Sequence, residues 1–140
     1  MKTVITIQGT GGIGKSSAVR AIYNRLAEAG TFTILGDRKD IRAEGTYKGK
    51  LIGIEGEGDP PGYFLEKSLG EFAAKGCDII ICTCRTRGET PDIVANMWHD
   101  HRYHIIWTKH LQEGKTGIMP NGLDLSKKYA EMVMDLIDAL

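Results

Sequence analysis

Apolar positions fall in two rhythms along the chain. Short apolar, β-branched runs at 3–7, 32–35, 51–54, 78–83 and 103–107 predict five strands. The fourth, DIIICT, is nearly all apolar, the pattern of a strand covered on both faces. Between these runs apolar residues recur at helical spacing. Ala18, Val19, Ile22 and Leu26 share one face of a helix over 15–29, with Gly30 as its stop signal. Phe64, Leu65, Leu69 and Phe72 mark a helix over 63–75. Thr90-Pro91-Asp92 opens a third over 90–99, with threonine as cap and proline in the first turn. Tyr129, Met132, Val133, Leu136 and Ile137 line a fourth over 125–140. Apolar strands that alternate with helices predict an α/β fold, a three-layer sandwich around a mainly parallel five-stranded sheet.

The length of 140 residues predicts one domain over 1–140. Eighteen basic and eighteen acidic residues cancel, which removes the simplest case for nucleic-acid or anionic-membrane binding. No apolar run approaches the roughly 20 residues of a membrane span. The first apolar stretch alternates with threonine and stops at glycine, so it reads as a strand and not as a secretory signal. Cys77, Cys82 and Cys84 are odd in number and have apolar neighbours, which predicts reduced thiols in a cytoplasmic protein. Glycine is in excess, with 18 residues that cluster at predicted turns.

One of those clusters carries chemistry. Gly9-Thr10-Gly11-Gly12-Ile13-Gly14-Lys15-Ser16 matches G-x-x-x-x-G-K-[ST], directly after a strand and directly before a helix. Glycines let successive N–H groups turn inward on phosphate oxygens, and the helix N-terminus adds partial positive charge. Lys15 supplies a cation for the β- and γ-phosphates, and Ser16 a hydroxyl for Mg²⁺. The motif in this setting resembles the P-loop NTPase superfamily. That resemblance implies the P-loop NTPase fold, ATP with Mg²⁺ as the bound group, and nucleotide contacts along residues 9–16 and Ser17.

Strand ends supply the other candidates. The third strand runs into Glu55-Gly56-Glu57-Gly58-Asp59, resembling a Walker B position. Glu55, Glu57 and Asp59 all remain open as the carboxylate that serves metal or water, with Glu55 paired with Ser16 for the metal. Asp37, at the end of the second strand, is a candidate general base or metal ligand, beside Arg38 for an anionic substrate. Arg85 and Arg87 follow the fourth strand, where α/β ligands bind, and are candidates for the transferred phosphoryl group. Thr108-Lys109-His110-Leu111 falls where a guanine reader would end in aspartate, and its leucine favours ATP over GTP. The loop over 110–122 is where kinase-like proteins hold adenine. The resemblance therefore points to a small kinase-like phosphotransferase whose small-molecule acceptor is unnamed. The alternative is an ATPase or GTPase-like nucleotide switch coupled to a protein partner. A second strand parallel to the rest favours the kinase. An antiparallel ribbon between it and residues 47–55 favours the switch.

Overall fold

The computed structural model describes residues 2–9, 15–37, 40–109 and 124–140. The element order is β1 (Thr3–Gln8), α1 (Lys15–Ala29), β2 (Thr31–Asp37), β3 (Ile41–Tyr47), β4 (Lys50–Glu55), α2 (Tyr63–Ala74), β5 (Ile79–Cys84), α3 (Glu89–His101), β6 (His104–Lys109) and α4 (Leu125–Ala139). The strands form one six-stranded sheet in the order β2-β3-β4-β5-β1-β6. Pairings β4–β5, β5–β1 and β1–β6 are parallel, whereas β2–β3 and β3–β4 are antiparallel.

This corrects the expected mainly parallel five-stranded sheet of the P-loop NTPase fold. The sheet is mixed, and it has a strand, β3, that the apolar runs do not announce. β2, β3 and β4 form a meander, so β2 meets neither β4 nor any parallel neighbour. The Lys48-Gly49 turn that joins β3 to β4 has φ of 50° and 77°, the left-handed pair that a two-residue hairpin requires. The expected antiparallel ribbon between the second strand and residues 47–55 does not form: residues 50–55 pair antiparallel with β3, and β2 pairs only with β3 among the described residues.

Strand alternation divides the core between two layers. Ile5, Ile7, Ile52, Ile54, Ile79 and Ile81 pack with α1 and α4 on one face. Val4, Ile80, Cys82 and Cys84 pack with Leu65, Leu69 and Phe72 of α2 and Val94 and Met97 of α3 on the other. β5 is buried along its whole length, as its unbroken apolar run predicts. Helix α3 begins at Glu89, one residue before the expected cap. Thr90 lies within it, buried, and its hydroxyl accepts the Arg85 backbone N–H at 2.9 Å. No helix among the described residues is long and apolar enough to cross a membrane.

Candidate active site at the carboxyl edge of the sheet

The parallel strands β1, β4 and β5 all end on one edge, at Gln8, Glu55 and Cys84. β2 runs in the same sense as β4, because both are antiparallel to β3. The connection from β2 to β3 therefore returns to this edge too, with Asp40 just before Ile41.

Lys15 opens α1 over the ends of β1 and β5. Its ammonium donates to the Gly9 carbonyl at 2.7 Å and to the Cys84 carbonyl at 3.3 Å. The Gly9 N–H also donates to the Cys84 carbonyl, at 3.1 Å, so the two strand ends and the lysine are tied together. Lys15 is only 8% exposed. Burial lowers its pKa below the ordinary lysine value, outweighing the opposing charge of Asp59.

Asp59 is the carboxylate that reaches this lysine. Its Oδ1 accepts from Arg85 Nε at 2.6 Å and lies 3.6 Å from Lys15 Nζ. Because β5 stands between β4 and β1, which puts those two strands about 9.6 Å apart, a group leaving β4 must pass over the end of β5 to approach Lys15. The segment after β4 makes that crossing. Gly56 N–H donates to the Ile41 carbonyl at 2.8 Å, and the Thr83 hydroxyl donates to the Gly56 carbonyl at 3.0 Å. Gly58 then passes against the backbone of Thr83, where an added Cβ would come within 2.1 Å of the carbonyl oxygen. Burial works to raise the Asp59 pKa, but the Arg85 hydrogen bond and the Lys15 charge outweigh it and hold the carboxyl below its usual range.

Glu55 turns elsewhere. It ends β4 on the face of Gly53, against α2, and is 4% exposed. Ser68 Oγ donates to its Oε1 at 2.6 Å, and the Glu57 N–H approaches its Oε2 at 3.3 Å. Burial raises its pKa, against the lowering by the Ser68 bond. The structure brings together Lys15, Asp59 and Arg85, and it directs the Glu55 carboxylate to Ser68.

Ser16, in the first turn of α1, donates its hydroxyl to Asp40 Oδ1. Asp40 was not singled out from the sequence. Its place on this edge depends on β3, the strand that the sequence pattern leaves unread. A hydroxyl beside a carboxylate is a hard-oxygen pair of the kind Mg²⁺ takes when phosphate and water complete its shell. Ser17 is exposed on α1, and Arg87 is exposed in the turn before α3. Asp37 enters only as the last backbone position of β2. Thr10, Gly11, Gly12, Ile13, Gly14, Arg38, His110 and Leu111, and with them the 110–122 loop, lie outside the described residues. The three cysteines are free and buried, and burial pushes the Cys77 thiol up to about 11, away from nucleophile chemistry.

No family model, no curated protein and no solved structure matches the chain.

Proposed function

We propose that this chain binds Mg-ATP at the carboxyl edge of its sheet and transfers a phosphoryl group to a small acceptor. The observation that carries the reading is Lys15. The lysine of a complete phosphate-loop motif has its ammonium buried, fixed by two strand-end carbonyls and beside Arg85. Burying a cation with one half-exposed carboxylate for company among the described residues is costly unless an anion uses it. The lowered Lys15 pKa fits that deficit, which a triphosphate would relieve.

In this reading Ser16 and Asp40 supply the protein oxygens for Mg²⁺. The bound metal would draw charge from the β- and γ-phosphate oxygens. Arg85 orients and neutralises the terminal phosphoryl group, and Asp37, from the end of β2, takes the acceptor's proton. The free buried thiols suit a reducing, cytoplasmic setting. A switch that hydrolyses nucleotide for a protein partner would use the same phosphate contacts. It differs in that water, and not an acceptor molecule, takes the phosphoryl group.

Calorimetry with ATP and GTP tests the binding step, with ATP expected to bind more tightly. Equal or tighter GTP binding removes the adenine assignment, and binding of neither removes the reading. Transfer of label from ATP across nucleosides, sugars and metabolites separates the kinase from the switch, because a switch labels none of them.

A further inference from the structure

Lys15 and Arg85 converge on one oxygen. An ammonium has three donors. Two of those on Lys15 are used by the Gly9 and Cys84 carbonyls. The remaining partner, Asp59 Oδ1, stands at 3.6 Å, long for a hydrogen bond of this kind. The same oxygen is held closely by Arg85 Nε at 2.6 Å. A carboxylate thus sits between two cations and satisfies only one of them well. Among the described residues, two positive groups and one negative leave a local charge of +1, which a phosphate dianion would meet more fully.

The carboxylate is also the most exposed of the three groups. Lys15 is fixed at the start of a helix, and Arg85 has its backbone N–H pinned to Thr90 at 2.9 Å. Asp59 belongs to the connection between β4 and α2 and is 48% exposed, so it has solvent to turn into.

We propose that Lys15 and Arg85 form a two-cation subsite for the terminal phosphoryl group of a polyphosphate, and that the Asp59 carboxylate occupies it until that group displaces it. The proposal deepens the Mg-ATP reading and rests on it for the identity of the natural ligand. Asp59 is then a resident competitor, which predicts a sign opposite to that of a metal-binding or catalytic acid. Removing its charge tightens binding.

The test is calorimetry of wild type, Asp59→Asn, Asp59→Glu and Arg85→Gln with inorganic tripolyphosphate, ATP and ADP, with and without Mg²⁺. Asp59→Asn is expected to bind tripolyphosphate and ATP about three- to fivefold more tightly, the scale of one exposed ion pair given up. That gain should persist without Mg²⁺, and ADP, lacking the terminal group, should change less than twofold. Asp59→Glu keeps the charge and should stay near wild type. Arg85→Gln should erase the preference for ATP over ADP. Unchanged or weaker tripolyphosphate binding by Asp59→Asn overturns the proposal. A gain with tripolyphosphate, in a protein that binds neither ATP nor ADP, sustains the two-cation subsite and overturns the nucleotide reading. Binding of no probe by any variant overturns both.

Discussion

Glu55 and Asp59 leave the same strand end, four positions apart, and meet opposite surroundings. Glu55 is closed in beneath α2, where a serine hydroxyl and a backbone N–H face its oxygens. Burial dominates there and raises its pKa. Asp59 has crossed β5 into a half-exposed place between two cations, and its pKa is lowered. Sequence position alone makes them equal candidates for a site acid. What separates them is the strand each side chain has or has not crossed. A carboxyl group closed in under a helix is held there most favourably in its protonated form. One held at an open edge by cations is available to a ligand.

The comparison can be broken first at its cationic side. Lys15→Ala removes two charge-assisted hydrogen bonds from the edge and leaves Asp59 with Arg85 alone. ATP affinity is expected to fall about 100-fold, in keeping with roughly 1.5–3 kcal/mol per charged hydrogen bond. The thermal melt should persist, because the apolar face of α1 is untouched. A lost melt would make Lys15 structural.

The crossing itself is the next target. Gly58→Ala places a methyl group into the Thr83 backbone and should cost about 2 kcal/mol in urea unfolding. The same variant should bind ATP no more weakly than wild type, because the carboxylate that shifts with Gly58 competes for Lys15 and Arg85. Wild-type stability in this variant would mean that the segment passes β5 by another route.

Ser68→Ala tests the closed side. It strips a buried carboxylate of its hydroxyl donor and should cost about 1–2 kcal/mol at neutral pH. ATP affinity should change little, and a large loss of affinity would join the two regions that the geometry separates.

The smallest effects lie in pH dependence, and their signs are opposed. Glu55 holds its proton more tightly when folded, so its contribution to stability is full below the ordinary glutamate value. That contribution is lost as pH climbs from the ordinary carboxylate value through the raised one. Glu55→Gln, which mimics the neutral acid, should flatten that decline and be the more stable protein at neutral pH. Asp59 behaves the other way. Its contribution is full above the ordinary aspartate value and is lost as pH falls through its lowered one. Urea titrations from about pH 3 to 8 read both, since the window spans the usual carboxylate range. Slopes of the same sign for Glu55→Gln and Asp59→Asn would contradict the assigned surroundings.

Much of the local structure was legible. α1 occupies Lys15–Ala29 as its spacing predicts, and β5 is buried throughout as its apolar run predicts. β3 was legible only in part. Ile41, Ala43, Gly45 and Tyr47 do alternate with Arg42, Glu44 and Thr46, a period of two. Alanine and glycine are weak β-formers, however, and the charged residues between them imitate a loop. Asp40 was hidden for the same reason, because its place depends on where β3 begins. The order of parallel strands has no local signature. Nothing in residues 50–59 says that β5 will lie between them and β1, so Glu55, Glu57 and Asp59 stay equivalent until that insertion is known.

That insertion also fixes when the lysine cluster can come into being. The meander of β2, β3 and β4 closes within about 25 residues of chain, through short loops of small entropic cost. β1 has no partner nearby. It waits for β5, where Thr3 meets Ile79, and for β6, where Thr3 meets His104. On a ribosome adding about 5–20 residues per second, Lys15 emerges well before the Cys84 carbonyl that will hold it. The flank of the sheet is local and early, whereas the charged cluster at its centre is assembled from distant parts and comes late.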